Sequence, residues 1–297
     1  MNTLSIFDLL PLPLHKIHIV DVGARYTEVE RYADLLEGGI VQLVGFEQDE
    51  SQLPTLNKRY PDHKFISAFI GDGSKRTFYN CYYGGCSSLY RPDPEIINQF
   101  TSIATTEGSN FEVVSEEYVQ TTKLDAIHEI EACDYLKIDV QGAELDVLKG
   151  AEETLKDCLI VEVEVEFVPL YEKQPLFSDI DKFMRDQGFY LHRLMDVSGR
   201  AFRPFTLDGN PVKPVSQLLW ADAIYVRKFD QFFLFEPRQL LKIAVLLHEL
   251  YQSVDFCALA LAHYDGQMNT SLRTIYSEVL SEKEVKISFL NIKDWTD

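Results

Sequence analysis

The sequence predicts an α/β protein built on a mostly parallel sheet with helices on both faces. Three observations support this prediction. Apolar runs with the length of strands alternate with helical patterns through the first half of the chain. The run 17–22 leads directly into a turn glycine, Gly23. An acidic residue, Glu47, follows that glycine by 24 positions at the end of a second apolar run, which is the spacing of a nucleotide-binding βαβ unit.

The elements of this predicted domain follow from apolar periodicity together with capping and turn residues. After the turn glycine, a capping box formed by Thr27 and Glu30 predicts a helix that ends near residue 36. The turn-rich loop 83–94 and the polar stretch 102–117, which we expect to be mobile, interrupt the alternation. Further strands are predicted at 41–47, 64–70, 76–81, 119–123, 134–140, 159–167, 190–195 and 219–227, and further helices at 50–59, 124–131, 143–155 and 178–188.

The chain divides into three predicted parts. Residues 1–16 form an N-terminal extension, residues 17–229 the α/β domain, and residues 230–297 a helical extension. In the last part, apolar residues recur at helical spacing over 237–251, and two later segments continue the pattern. Apolar helices of this kind pack on a core or on a partner subunit, so a homodimer is one expected assembly.

Composition narrows the class of partner. The 297 residues carry a net charge of −19, and Asp and Glu outnumber Lys and Arg by 47 to 28, which argues against nucleic acid and anionic membranes as partners. The N-terminus lacks the charge pattern of a signal peptide, and no apolar run reaches the ~20 residues of a membrane span. The five cysteines have no zinc-type spacing, so we expect reduced thiols in a cytoplasmic protein.

The number of glycines in the first turn indicates which nucleotide is bound. A dinucleotide needs a G-x-G-x-x-G turn because its two phosphates press against bare backbone. Only Gly23 is present here, which disfavours a nicotinamide-dependent dehydrogenase. A ligand with an adenosine but no pyrophosphate fits better, and S-adenosylmethionine is the obvious candidate. Glu47 is then expected to accept both ribose hydroxyls.

Two carboxylates are candidates for the chemistry. Asp139 closes a buried strand, where a carboxylate is costly without partners, so it is predicted to orient a substrate hydroxyl, hold an ammonium group or bind a metal. The alternative for Asp139 is a structural pair with Lys137. Glu164 lies in an alternating Val-Glu strand and is predicted to reach the same cleft as a general base or metal ligand. The alternative for Glu164 is a solvated position on an edge strand.

Two further polar residues have competing interpretations. Asp21, at the end of the first strand, is predicted to hold the turn or the amino group of the ligand, and the alternative is a turn residue that bonds nearby backbone. Ser88, in the glycine-bounded loop, is predicted to line the cleft, and turn chemistry alone explains it equally well.

Several motifs together resemble a known family. The segments 21–24, 46–47, 137–144, 147–151 and 160–162, of which 137–144 is the most specific, are similar to those of the FkbM-type methyltransferases. The resemblance covers residues 17–227. It implies a Rossmann-like, seven-stranded sheet of the class I methyltransferase type with an antiparallel last strand. It also implies methyl transfer from S-adenosylmethionine to a hydroxyl of a sugar, glycan or secondary metabolite.

The chain departs from that family at two turn positions. Arg25 stands where the family usually has Asn, and Thr27 where it usually has Gly. We expect Arg25 to hold the methionine carboxylate. The departures also motivate an alternative, a non-catalytic binding or scaffold protein that keeps the fold.

These arguments predict one site for the donor, the base and the acceptor. A magnesium-assisted version, which is not favoured, would use Asp139, Glu162 and Glu164. The predicted acceptor is a small molecule or a glycan. The predicted cofactor-binding residues are Asp21, Gly23, Ala24, Arg25, Glu47, Gln48, Ala68, Phe69 and Asp139; the catalytic residues are Asp139 and Glu164; the substrate-binding residues are Ser88, Gln141 and Glu144.

Overall fold

The structure is a computed structural model that describes residues 5–11, 15–25 and 30–282. The chain divides into two compact units. The sheet unit comprises His18–Glu28 and Gln42–Lys228, and the helical unit comprises Met1–Ile17, Val29–Val41 and Phe229–Asp297. The predicted boundaries at 16/17 and 229/230 stay predictions. The predicted capping residue Thr27 and the end of the predicted helical extension, 283–297, lie outside the described residues.

The sheet has seven strands in the order β3-β2-β1-β6-β7-β9-β8. The pairs β2–β3, β1–β6 and β6–β7 run parallel, and β9 is antiparallel to both β7 and β8. The predicted fold class, a Rossmann-like α/β sheet of class I methyltransferase type with an antiparallel last strand, is therefore confirmed. The strands are β1 (Ile17–Val22), β2 (Val41–Phe46), β3 (Lys64–Ile66), β6 (Tyr135–Ile138), β7 (Ile160–Glu166), β8 (Phe189–Gly199) and β9 (Leu218–Arg227).

The central strands are buried, β6 with a largely apolar sequence, as is typical of parallel strands, and β7 although its valines alternate with glutamates. In β6, Leu136 and Ile138 are almost inaccessible, and β7 buries Val161 and Val163 completely. The core of the sheet unit combines these residues with apolar positions of three helices. The helices that contribute are α4 (Glu144–Lys149), α5 (Glu152–Asp157) and α6 (Phe177–Asp186).

A two-stranded antiparallel hairpin accompanies the sheet. It pairs β4 (Lys75–Cys81) with β5 (Val113–Gln120). The prediction of a mobile polar stretch over 102–117 is wrong in its last part, which belongs to β5. Five successive residues of β5 are exposed, so the strand lacks the apolar alternation that reveals a strand in sequence. Two short helices complete the unit, α2 (Leu53–Arg59) and α3 (Pro94–Ile97).

Some predicted elements differ in extent. The helix predicted at 143–155 is two helices, α4 and α5, separated at Gly150. A Cβ on Gly150 would lie 2.1 Å from the carbonyl oxygen of Gly71, so the break permits a close backbone approach. The strand predicted at 64–70 ends at Ile66, and the helix predicted at 124–131 is a single 3₁₀ turn over Leu124–Ala126.

The helical unit contains three long helices that match the predicted apolar periodicity. The predicted segment 237–251 is α7 (Pro237–Tyr251), followed by α8 (Val254–Met268) and α9 (Leu272–Glu282). A short helix, α1 (Ala33–Glu37), belongs to the same unit. No helix among the described residues is long and apolar enough to cross a membrane.

Candidate functional site

A first cavity of about 270 Å³ lies beyond the carboxyl ends of β1, β2 and β3. Strand ends at a point where the order of the strands reverses are where α/β sheets bind ligands. Three residues of the predicted cofactor site, Arg25, Gln48 and Phe69, line this cavity. The other lining residues come from the segment after β2, the hairpin and its loop: Asp49, Glu50, Phe78, Asn80, Cys81, Gly84, Ser87 and Glu117.

The turn after β1 fits only a glycine. Gly23 adopts a φ of +93°, and a Cβ there would lie 1.9 Å from the carbonyl oxygen of Asp139. The backbone N–H groups of Gly23 and Ala24 both donate to the carbonyl oxygen of Phe46, at 2.9 and 3.0 Å. The turn is therefore held against the ends of both neighbouring strands, β2 and β6, as the nucleotide-binding interpretation of Gly23 requires.

Glu47 follows β2 directly and is almost completely buried, with 1% of its surface exposed. Its Oε1 accepts the backbone N–H of Asp49 at 2.8 Å, and no hydrogen bond from any described residue reaches Oε2. Burial raises the pKa of Glu47, while the Asp49 N–H and the charge of Arg25 oppose that shift. A carboxylate oxygen at a strand end that no described residue bonds is suited to accept a hydrogen bond from a ligand hydroxyl.

Arg25 lies at the wall of the first cavity. Its Nη2 is 3.9 Å from Asp49 Oδ2, and a Cβ at position 84 would lie 2.8 Å from the same nitrogen. Gly84 thus leaves room for the guanidinium, which faces the cavity as a cation. A cation in this place fits the predicted contact with a ligand carboxylate.

The remaining predicted cofactor residues take different places. Phe69 packs edge-to-face on Phe78 with ring centroids 4.9 Å apart, and both rings line the first cavity. Ala68 packs against the core of the sheet. Asp21 is fully buried, and Lys137 Nζ lies 3.7 Å from its Oδ1, so the two residues form an ion pair. A ligand contact for Asp21 stays a prediction.

Gln141 joins the two predicted catalytic carboxylates. Its side-chain Nε2 donates to Asp139 Oδ1 at 3.0 Å and to Glu164 Oε2 at 2.8 Å. Gln141 adopts a φ of +59°, in the left-handed region that residues other than glycine seldom occupy. Tyr171 places its hydroxyl 3.3 Å from Gln141 Oε1. The structure therefore brings Asp139 and Glu164 together across the ends of β6 and β7, as the sequence predicted.

The pKa of two glutamates around this bridge, Glu164 and Glu166, is raised. The pKa of Glu164 is well above its ordinary value, first because the group is buried and then because Asp139, Glu166 and Glu144 are negatively charged. Burial likewise raises the pKa of Glu166, and Glu144 and Asp139 add to that shift. A raised pKa makes the carboxylate a stronger base, which suits a group that must take up a proton during a reaction.

Two predicted substrate residues hold the loop that carries Gln141. Ser88 is 1% exposed, and its Oγ donates to the backbone carbonyl of Gln141 at 2.6 Å. Glu144 Oε1 accepts the backbone N–H groups of Val140 and Gly142 at 3.0 and 3.1 Å. Both residues thus position the bridge, and neither lines the two cavities described here. Their direct contact with an acceptor stays a prediction.

A second cavity of about 220 Å³ opens on the other side of the loop 83–87. Gly84 and Ser87 line the first cavity, whereas Tyr83, Gly85 and Cys86 line the second. Burial raises the pKa of Cys86 to about 12, which keeps this thiol protonated and a poor nucleophile. The rest of the second cavity consists of Ile103, Asn110, Phe111, Gln141, Glu164, Glu166, Leu170, Tyr171, Arg200 and Trp220.

Sequence reasoning missed most of the residues from the hairpin and from the antiparallel strands. Asn80 and Glu117 reach the first cavity from the hairpin, and Arg200 and Trp220 reach the second from β8 and β9. No sequence motif identifies these four residues, because strands that pair across many intervening residues leave no local pattern in the sequence. Glu162, the third residue of the predicted magnesium alternative, accepts a hydrogen bond from Tyr135 at 2.8 Å. The part of the chain that the structure describes has no cluster of three or more metal-binding side chains.

The sequence matches the model of one protein family. That family is the Methyltransferase FkbM domain, and the match covers residues 21–191, more than half of the chain. The chain therefore belongs to the FkbM family of S-adenosylmethionine-dependent methyltransferases. The resemblance read from the motifs is confirmed. No curated protein matches the sequence.

Several solved methyltransferase structures are similar to this chain at low identity. A TehB-like SAM-dependent methyltransferase from Corynebacterium glutamicum is 12% identical, with a TM-score of 0.33 over 75% of this chain and 85% of that one. Magnesium protoporphyrin IX methyltransferase from Synechocystis, solved with bound SAM, is 10% identical, with a TM-score of 0.35 over 73% and 72%. Precorrin-6y C5,15-methyltransferase from Geobacter metallireducens is 11% identical, with a TM-score of 0.35 over 75% and 85%. Likeness at this level does not identify a ligand or an acceptor.

The first cavity has the chemistry that S-adenosylmethionine requires. The Phe69–Phe78 pair offers an aromatic surface to a base, and Glu47, next to the lining residue Gln48, keeps one oxygen that no described residue bonds. Arg25 supplies a cation for a carboxylate. The residues present therefore fit the cofactor of the family.

Proposed function

We propose that this protein is an O-methyltransferase that methylates a hydroxyl of a sugar, glycan or secondary metabolite. S-adenosylmethionine, when bound, supplies an activated methyl group on a sulfonium. The observation that carries the proposal is the bridge from Gln141 to Asp139 and Glu164, which lies at the strand ends and faces the second cavity through Glu164. A carboxylate beside a hydroxyl is the group that this reaction needs from the protein.

The reaction exchanges one bond for another. The bond from the methyl carbon to sulphur breaks as the bond to the acceptor oxygen forms, and a neutral thioether leaves. The hydroxyl proton passes to a carboxylate, for which Glu164 and Asp139 are the candidates. Alignment of two bound reactants supplies roughly 7–11 kcal/mol, and a positioned base contributes about 10²–10⁴-fold.

Gln141 serves this chemistry as a positioning residue. Its single amide group donates to both carboxylates, which fixes the two oxygens that it binds and leaves the other oxygens to the substrate. Ser88 and Glu144 hold the backbone of the same loop. Loss of the amide is expected to lower kcat more than it weakens cofactor binding.

The test follows label from methyl-tritiated S-adenosylmethionine into a panel of hydroxylated acceptors. Wild type is expected to give an alkali-stable labelled ether. Glu164→Gln and Asp139→Asn are expected to lower the rate, with the larger loss, about 10²-fold or more, in the variant that lacks the base. Glu172→Gln, a change at an exposed glutamate nearby, is the matched control and keeps the wild-type rate.

Two results would contradict the proposal. An alkali-labile product would indicate methyl transfer to a carboxylate and not to a hydroxyl. Calorimetry without detectable heat from millimolar S-adenosylmethionine would instead favour the alternative of a non-catalytic scaffold protein.

A further inference from the structure

The wall of the first cavity carries a carboxylate next to a cation. Asp49 and Arg25 both line this cavity, and Asp49 Oδ2 lies 3.9 Å from Arg25 Nη2. Both side chains are accessible, with 36% of the Asp49 side chain and 25% of the Arg25 side chain exposed. A ligand in the first cavity can therefore reach the two charges.

The ion pair between Asp49 and Arg25 leaves both charges available to a ligand. Its distance of 3.9 Å is longer than the ~2.7–2.9 Å of a charge-assisted hydrogen bond. An ion pair that is partly exposed to water also adds little stability, because water screens the attraction. A ligand that binds both groups at hydrogen-bond distance therefore gains more than the separation of the pair costs.

Ser51 fixes the orientation of the Asp49 carboxylate. The backbone N–H of Ser51 and its Oγ both donate to Asp49 Oδ1, at 3.0 and 2.5 Å. The other oxygen, Oδ2, accepts a long hydrogen bond from Gln52 Nε2 at 3.4 Å. The hydrogen bonds from Ser51 lower the pKa of Asp49, so the group is ionised at neutral pH. A carboxylate oxygen has two lone pairs, and Oδ2 can therefore accept a further donor from the cavity.

Gly84 determines where the Arg25 guanidinium lies. A Cβ at position 84 would be 2.8 Å from Arg25 Nη2 and 2.9 Å from Nη1. Gly84 does not have the positive φ that favours glycine, so alanine can adopt its backbone conformation. Because the guanidinium is the end of a flexible side chain, alanine at this position would displace the cation and not the backbone.

The two charges match one end of the donor. The methionine part of S-adenosylmethionine carries an ammonium and a carboxylate on the same carbon. An ammonium donates hydrogen bonds to a carboxylate such as Asp49, and a carboxylate accepts them from a guanidinium such as Arg25. The partner predicted from sequence for the amino group, Asp21, is fully buried, lies 3.7 Å from Lys137 Nζ and does not line the first cavity.

We propose that Asp49 binds the ammonium of the methionine part while Arg25 binds its carboxylate, and that Gly84 is the residue that positions Arg25. This inference rests on the proposed function, because it places the donor in the first cavity. It adds Asp49 and Gly84 to the donor site. It also makes the amino-acid end a determinant of specificity, so that adenosine thioethers without these charges are poorer ligands.

The first test compares three ligands that differ only in this end. S-adenosylhomocysteine carries both charges, its decarboxylated analogue carries the ammonium alone, and methylthioadenosine carries neither. Isothermal titration calorimetry with the full chain is expected to show decreasing affinity in that order, with a loss of about tenfold or more for each missing charge. Equal affinity for the three ligands would overturn the inference.

Variants then assign each charge to its residue. Asp49→Asn is expected to weaken S-adenosylhomocysteine and the decarboxylated analogue about tenfold or more, because both carry the ammonium. Arg25→Gln and Gly84→Ala are expected to weaken S-adenosylhomocysteine alone, because it alone carries the carboxylate. Wild-type affinity for methylthioadenosine shows that a variant keeps its fold and its adenosine site. An equal loss for all three ligands would mean that these residues only shape the cavity, and would overturn the inference.

Asp72 provides the matched control for Asp49. Its Oδ1 accepts the backbone N–H and the Oγ of Ser74 at 2.9 and 2.5 Å, the same arrangement as that of Asp49 with Ser51, but Asp72 does not line the first cavity. Asp72→Asn is expected to bind the three ligands as wild type does. A loss equal to that of Asp49→Asn would assign the effect to net charge and overturn the contact.

The outcomes separate this inference from the proposed function. Binding that depends on Asp49 and Arg25, without methyl transfer to any hydroxyl, would support the inference and overturn the proposed function. Methyl transfer to a hydroxyl with the same KM for S-adenosylmethionine in wild type, Asp49→Asn and Arg25→Gln would support the proposed function and overturn the inference.

Discussion

Replacement of Gly23 by alanine tests whether the turn after β1 carries the donor site. The new Cβ would lie 1.9 Å from the Asp139 carbonyl oxygen. Ordinary contacts of this kind begin at 3.4 Å, so the turn and the end of β6 must separate by about 1.5 Å, the difference between the two distances. A displacement near 1 Å at a site can cost about 10²-fold in activity. Gly23→Ala is therefore expected to lose most of its S-adenosylmethionine affinity.

The stability cost has two parts. A residue other than glycine at a φ of +93° costs about 1–3 kcal/mol in backbone strain, and overpacking adds about 1–3 kcal/mol. We expect the free energy of unfolding, measured by urea denaturation, to fall by the sum of the two, about 2–6 kcal/mol. Isothermal titration calorimetry with S-adenosylmethionine, on protein shown to be folded by circular dichroism, measures the effect on binding.

Two glycines provide matched controls. Gly108 has a φ of +75° with no atom within 4 Å of its Cβ position, so Gly108→Ala is expected to show the strain alone and to bind S-adenosylmethionine normally. Gly150 does not line the first cavity, and a Cβ there would make a comparable clash, 2.1 Å from a carbonyl oxygen. Gly150→Ala is therefore expected to lose stability but to keep its affinity for S-adenosylmethionine. Wild-type affinity in folded Gly23→Ala would refute the reasoning.

Three further predictions concern charge. The negative charge of Asp139 raises the pKa of Glu164. If Glu164 is the base, Asp139→Asn therefore moves the acid limb of the pH–rate profile to lower pH. If Asp139 is the base, the same variant is inactive at every pH. Arg25→Ala is expected to raise the Kd for S-adenosylmethionine about tenfold or more in calorimetry, and tighter binding would mean that Arg25 blocks the cavity. Burial raises the pKa of Glu144 from 4.5 to about 7, so the folded state binds this proton more tightly than the unfolded state. The free energy of unfolding therefore falls as the pH rises from 4.5 to 7. Glu144→Gln is expected to remove that part of the slope in urea denaturation between pH 4.5 and 7, and an unchanged slope would contradict the assignment.

The part of the fold that could be predicted is the part with a strong local pattern. Strands such as β6 are apolar at most positions because parallel strands are buried on both faces. The helix α7 has the predicted bounds, since its apolar residues recur at helical spacing. The strand predicted at 119–123 overlaps only the end of β5, because five successive residues in the rest of that strand face solvent. The break at Gly150 depends on the approach of Gly71, a tertiary contact that the local pattern does not contain.

The candidate site divides in the same way. Gly23, Glu47 and Asp139 follow directly after strands, so a strand prediction places them at the sheet edge. The roles of Ser88 and Glu144 in holding the loop of Gln141 depend on hydrogen bonds to its backbone, which sequence does not reveal. The second cavity also requires the antiparallel register of β7 with β9, which sets Glu166 opposite Trp220. Cytoplasmic location and a homodimer stay predictions.

The most direct measurement is a crystal structure of the complete chain with S-adenosylhomocysteine bound, the product that remains after methyl transfer. We expect the ribose hydroxyls on Glu47, the adenine beside Phe69 and Phe78, and the sulphur directed towards the Gln141 bridge. The account would be contradicted if the nucleoside were found outside the first cavity, or if the sulphur pointed away from Asp139 and Glu164.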